Sequence, residues 1–372
     1  MNAILLSLLA LGCLLLLAWA LRKRSPRDTL PTSLVKAEPA ASLASTPPPR
    51  PQAPTPVPAS LAAFRWIGVG EWSGERRLRY IKAFRDVPRP PKLLQQLLSP
   101  AFLHSVSTAQ LVDLINAEPL FAARLLAAVN SPTYGLARKV LSVEQAVMIL
   151  GLETVRSVCL QYMMISSFKA DTPQRQVLLD TTWTTSALAS EITQRLARSL
   201  PFEDRSSAVS SVVLSFLGRL ATVALTPMGT LDRIPARDLL ARTHAEQALL
   251  GLGAAEIGRL LMIDWDLPAE VISDACEIDQ LLVGPCVSVD PRRVHRLAVA
   301  YIGARLGERV AEQGVSALTT FDLQGDDGAE TFFVKHHFTH PSLASVPDLL
   351  RDPALHDTVS RMLGSVQELS PA

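Results

Sequence analysis

From residue 91 to residue 282 the sequence is an almost unbroken succession of helix starts, apolar stripes and helix stops, which confines the fold to packed helices. Ser107 to Gln110 reads as a capping box, in which a hydroxyl and an amide satisfy backbone groups of the first turn. Leu111, Leu114 and Ile115 follow at helical spacing. Pro119 opens the next helix where a missing N–H costs little. Leu120, Ala123, Leu125, Leu126 and Val129 give that helix a buried face, and Asn130-Ser131-Pro132 stops it. Ser142 and Gln145 start another, and Gly151 ends it in a position that tolerates positive φ. Residues 152–168 are apolar on several sides and read as a central, buried helix. Further helices are predicted over 183–200, 208–225, 249–264, 268–282 and 291–311. Strand-type alternation is missing before about residue 310. Beyond it, 318–323 and 331–334 read as short strands and 341–363 as helix. The predicted class is all-α, a helical bundle.

The first 60 residues read differently. Ala3 to Leu21 is an apolar run near the length needed to cross the hydrocarbon core, with Ser7 its one polar side chain. Arg22, Lys23 and Arg24 follow it directly, and no basic side chain precedes it. The positive-inside rule therefore places this flank, and the chain after it, in the cytoplasm. A cleaved signal peptide carries its charge before the apolar stretch, so an uncleaved, single-pass anchor in the inner membrane is expected, with the lipid bilayer as the partner of residues 3–21. The prolines gather next, and a Pro- and Ala-rich segment cannot bury enough apolar surface to fold. The chain thus divides into an anchor with its basic flank (1–24), a disordered linker (25–60), a lead-in carrying Trp66 and Trp72 (61–90), the helical domain (91–290) and a mainly helical C-terminal extension (291–372). Gly68, Gly70 and Gly74 argue against a long helix in the lead-in.

Charge and motifs narrow the function. Lys and Arg total 36 against 35 Asp and Glu, so no global field invites nucleic acid, and none is expected as a partner. Cys13, Cys159, Cys276 and Cys286 form no CxxC pair. A GxxxxGK[ST] loop, a dinucleotide fingerprint and a GxSxG elbow are all missing, and no cofactor is expected. His336, His337 and His340 read as a polar turn, and His356-Asp357 as a chance doublet at a helix start.

The order of landmarks resembles the HDOD family, the output-domain relative of the HD metal-dependent phosphohydrolases. Leu114-Ile115-Asn116-Ala117-Glu118-Pro119 is similar to the family's lead into a helix, with Glu118 where Asp is usual. Asn130-Ser131-Pro132-Thr133-Tyr134-Gly135 resembles its asparagine-serine signature, Ser142 to Leu152 the helix and turn containing Gly151, and Trp265-Asp266-Leu267-Pro268 its tryptophan-leucine-proline segment. The resemblance implies an HDOD-type bundle and a bacterial role in signal transduction. It also places a catalytic relative's metal ligands on this chain. Ser215 stands for the histidine and Phe216 for the aspartate of the doublet, in Val213-Leu214-Ser215-Phe216-Leu217-Gly218. Thr184, Thr185 and Ser186 lie where an earlier histidine is expected, and Ala254 where a later one is.

Hydroxyl, phenyl and methyl groups cannot grip a metal that would activate water, and Phe216 is expected to fill the site with an apolar ring. The expected function is therefore non-catalytic: a membrane-tethered regulatory module that binds a protein partner in a signalling pathway, or a small signal. Asn130 reads as a helix-end cap ahead of a groove-lining role, and Trp265 with Pro268 as core packing at an interhelix turn. The alternative is a metal-dependent phosphohydrolase or phosphodiesterase with atypical ligands, drawn from Asp180, Glu191, Glu256 and Asp274.

Overall fold

The computed structural model describes residues 56–369, apart from 73, 86, 91–95, 100–104, 202–204, 236–237, 286–289 and 327. The apolar run 3–21, its flank Arg22, Lys23 and Arg24, and most of the linker lie outside the described residues. Every described element is helical. We number the longer helices α1 (Gly74–Phe84), α2 (Thr108–Asn116), α3 (Pro119–Val129), α4 (Val143–Ser166), α5 (Pro173–Ser199), α6 (Arg205–Ser215), α7 (Leu217–Leu225), α8 (Leu239–Leu250), α9 (Ala254–Asp264), α10 (Ala269–Gln280), α11 (Pro291–Gln313) and α12 (Pro353–Leu369).

The centre is α5 and α6, around which α4, α7, α10 and α11 pack. Residues 152–166 belong to α4, which buries Val155, Cys159, Leu160, Met163 and Met164 and packs against both α5 and α6. The segment is buried as expected, while the centre it packs on is α5 and α6. Helix α5 starts ten residues before the predicted 183, where Thr172 caps the N–H of Arg175 at 3.2 Å and Pro173 takes the first position. Its threonines hid it. Thr182 and Thr185 donate back to the carbonyls of Leu178 and Thr181, both at 2.8 Å, so a polar helix can be buried without orphan hydroxyls at those positions. Arg175, itself buried, donates to the carbonyls of Val223, Ala224 and Thr226 and so caps the C-terminus of α7.

The stretch Ser207–Leu225 has the length and composition of a membrane span, but 78% of its apolar window is buried inside the bundle. It is broken between α6 and α7 at Phe216, and it serves as core. Helices α7 and α9 cross in direct backbone contact. A Cβ on Gly218 would lie 1.8 Å from the carbonyl oxygen of Ala254, and one on Gly258 2.9 Å from the nitrogen of Gly218. Helix α11 approaches α5 as closely: a Cβ on Gly307 would lie 2.6 Å from that of Ala189.

Three further expectations change. The lead-in contains a helix, α1, because Gly74 sits at its first residue, where glycine breaks nothing. The segment 249–264 holds the end of α8 and the whole of α9: Gly251 terminates α8 at φ 88°, and Gly253 precedes α9. The strands expected at 318–323 and 331–334 are helical turns, Ser316–Thr320 and Ala329–Phe332, with Leu318, Phe321, Leu323 and Val334 pressed into the core. Two or three apolar side chains within four to six residues fit a strand and a buried turn equally well, and the tertiary contacts decide.

The crossing of α7 and α9 gives a direct test. Gly218→Ala should lower stability by more than about 2 kcal/mol, through overpacking against backbone that cannot move aside. Gly284→Ala, in open space, should change it by less than about 0.5 kcal/mol. Thermal melting followed by circular dichroism measures both.

Candidate functional site

Ser215 at the end of α6, Phe216 in the break and Ala254 at the start of α9 come together around one small cavity. Phe216 is buried, but its ring does not fill the space alone. Three arginines and three carboxylates converge there, from four helices: Arg219 on α7, Arg242 and Glu246 on α8, Asp279 on α10, and Arg305 and Glu308 on α11. The expectation of an apolar plug is corrected: an ionic network occupies the site, and only about 20 Å³ of free volume remains, enough for about one water. Trp66 of the lead-in lines its edge.

Glu308 organises the network. It accepts from Arg219 and Arg242, both at 2.9 Å, and pairs with Arg305 at 3.0 Å. Arg305 also reaches Asp279 at 3.2 Å. Burial pushes the Glu308 carboxyl up, but the guanidinium groups of Arg242, Arg305 and Arg219 outweigh it and bring the pKa down to about 2. Burial, helped by repulsion from Arg242, brings Arg219 down to about 10. Glu246 has the opposite fate. Burial raises its pKa to about 7, against the pull of Arg242, the Ala254 N–H and Arg219. The Ala254 N–H donates to Glu246 at 2.7 Å, so this side chain fixes the N-terminus of α9. Asp279 is raised by the same burial, against Arg305 and Arg242.

A divalent metal does not fit this set. Ser215 donates its hydroxyl proton to the carbonyl of Val212 at 2.8 Å, and Ala254 has no donor atom. A cation would meet three guanidinium charges at close range. The four alternative ligands are dispersed. Asp180 accepts from Gln176 at 2.9 Å, and Glu191 pairs with Arg195 at 2.9 Å. Glu256 accepts from the N–H of Val69 at 3.0 Å, and Asp274 pairs with Arg293 at 2.8 Å and Arg296 at 2.9 Å. Among the described residues, no three His, Cys, Asp or Glu side chains are placed to hold a metal ion. His340 meets His295 of α11 with ring centroids 4.2 Å apart, and His356 reaches the Leu350 carbonyl at 2.7 Å.

The remaining predicted positions lie elsewhere. Asn130 donates to the carbonyls of Leu126 and Val140 and accepts from the N–H of Val140, all at 2.8 Å, tying the end of α3 to the loop before α4. Ser131 lines a second cavity between α3, α4 and α5. Gly151 takes φ 75° and separates the two halves of α4. Trp265 is buried at the turn between α9 and α10, where Asp266 takes φ 54°, and Pro268 precedes α10. Trp66, Trp72 and Tyr80 hold the lead-in on α8 and α9: Trp72 donates to the carbonyl of Gly251 at 3.1 Å. Sequence reasoning missed all six charged residues of the network. The available signal was a charge inside an apolar run, such as Arg305 within Leu297 to Gly307, which betrays a buried partner.

Arg305→Met should cost about 3–5 kcal/mol, because it strands buried carboxylates. Glu246→Gln tests the pH linkage. A carboxyl raised in the folded state contributes stability that is full below its unfolded pKa and lost as pH rises through about 7. Denaturant titrations should show Glu246→Gln gaining relative to the parent between about pH 4.5 and 7, by on the order of 1–3 kcal/mol.

Residues 87–280, just over half of the chain, match the HDOD domain family. The fold is similar to that of an HDOD domain protein of unknown function from Geobacter sulfurreducens, at 16% identity over 77% of this chain and 99% of that one, with a TM-score of 0.50. A candidate phosphohydrolase from Shewanella amazonensis SB2B is similar at 16% identity over 77% and 97%, with a TM-score of 0.50. A candidate signal transduction protein from Marinobacter aquaeolei VT8 is similar at 18% identity over 79% and 64%, with a TM-score of 0.54. At these identities the likeness is one of fold. No curated protein matches. The match over 87–280 takes in the motifs running from Leu114 to Pro268, and the chain belongs to the HDOD domain family.

Proposed function

We propose that this protein is a membrane-anchored, non-catalytic signalling module that works by binding. The observation that carries the reading is the arginine–carboxylate network at Ser215, Phe216 and Ala254. In the HD resemblance those positions belong to metal ligands. Here the space is taken by paired charges of both signs, a set suited to holding helices together and unsuited to binding a cation. One similar fold carries a phosphohydrolase's name and another a signal transduction protein's, so their names do not choose between the readings. The chemistry of the network favours the second.

Residues 3–21 serve in this proposal as the anchor, with Arg22, Lys23 and Arg24 on the cytoplasmic side, and the folded domain meets a protein partner or a small signal there. The domain boundaries follow the same division, with one refinement. Helix α11 supplies Arg305 and Glu308 to the network, so the functional unit extends past 290.

Two measurements test this. Elemental analysis of the purified full chain should find substoichiometric transition metal, and generic phosphodiesters should not be turned over. A bound metal with turnover lost on changing Glu256 or Asp274 would establish the hydrolase. Membranes washed at alkaline pH should retain the full chain and release a form lacking residues 1–24; release of both would remove the anchor from the proposal.

A further inference from the structure

The second cavity opens between α3, α4, α5 and α12 and measures about 200 Å³. It begins at the asparagine-serine segment, whose loop Asn130 holds in place. Its inner wall is internally bonded. Ser157 and Ser190 share a hydrogen bond of 2.8 Å, Gln194 donates to Thr154 at 3.2 Å, and Gln161 donates to Ser157 at 3.3 Å. These contacts fix the rotamers of the wall before any ligand arrives. The opposite side is uncommitted. The side chains of Ser131, Thr133, Tyr134, Trp183 and Thr184 line the cavity and make no hydrogen bond to another described residue. A preformed wall facing unspent donors and acceptors is the arrangement of a small-molecule site.

The lining specifies the ligand's chemistry. No arginine or lysine lines the cavity; its one charge is the Glu191 carboxylate, held by Arg195 at 2.9 Å, and Arg198 reaches the lining only through Thr154, at 3.3 Å. Phosphates and carboxylates are therefore poor occupants. Trp183 and Tyr134 bring two aromatic rings to the lining, the side chains that stack best on a planar ring. The surrounding hydroxyls both donate and accept, and Glu191 accepts from an N–H. The volume lies below the roughly 300–1,000 Å³ typical of sites for drug-sized ligands, which limits the occupant to one small ring system. We infer that this cavity binds an uncharged nitrogen heterocycle of nucleobase size, stacked against Trp183 and read at its edge by the hydroxyls and Glu191. The inference rests on the reading of the domain as a binding module and names what it senses.

Equilibrium dialysis of the detergent-solubilised full chain tests it, with adenine, guanine, cytosine, uracil and their nucleosides as probes and glucose as the non-planar control. At least one base or nucleoside should be retained and glucose should not. Trp183→Ala should weaken retention about tenfold, and Tyr134→Phe about threefold or more. Tyr134→Phe should leave the melting temperature unchanged, because its hydroxyl has no hydrogen-bond partner among the described residues to lose. If Trp183→Ala fails to fold, Thr184→Val replaces it, again with about threefold weaker retention expected. Retention of no base or nucleoside by folded protein, equal retention by the variants, or retention of glucose instead would overturn the inference. Such a failure, in protein that still lacks phosphodiester turnover, would leave the signalling proposal standing. Metal-dependent turnover would sink that proposal whichever way the dialysis falls.

Discussion

Glu308 is the point on which the bundle turns. A carboxylate and three guanidinium groups cannot leave water singly, because each buried ion costs several kcal/mol when unpaired. They can do so together when α7, α8, α10 and α11 dock at once, which makes the network a condition on the geometry of four helices. Much of the surrounding packing serves that docking. The glycine crossing of α7 and α9 sets Phe216 and Ala254 against each other, and Glu246 ties α9 back to α8.

The network also changes what a degenerate site means in this fold. Losing metal ligands leaves a polar hole at the centre of a helical bundle. An apolar side chain could fill it, as the presence of Phe216 alone implied. This chain fills it with charge of both signs, and one of the carboxyls, Glu246, titrates near neutrality. The cavity beside Trp183 is built differently: hydrogen-bonded along its inner wall, with side chains along the other that have no hydrogen-bond partner among the described residues.

The C-terminal extension and the lead-in belong to the same argument. The family match stops at 280, yet α11 lies along α5 with no room for a Cβ at Gly307, and it delivers Arg305 and Glu308. Trp66 from the lead-in lines the edge of the network, and Glu256 receives the Val69 N–H. These flanking segments complete the core and are not appendages to it.

The sequence by itself determined the class and most of the helix ends. Caps and stops act within a few residues, as at Ser107, Pro119 and Gly151, so a local reading can find them, although it passed over Thr172 and Gly251. It also determined the order of the family's motifs. It missed the first ten residues of α5 and read two buried turns as strands, because a few apolar side chains in a short stretch carry the same signal in either. Only the tertiary structure decided what stands in the bundle centre. Arg219, Arg242, Asp279 and Glu308 come from four separate helices, and no spacing along the chain encodes their convergence. Burial of a charge is meaningful only with its partner in view, and that partner is far away in sequence.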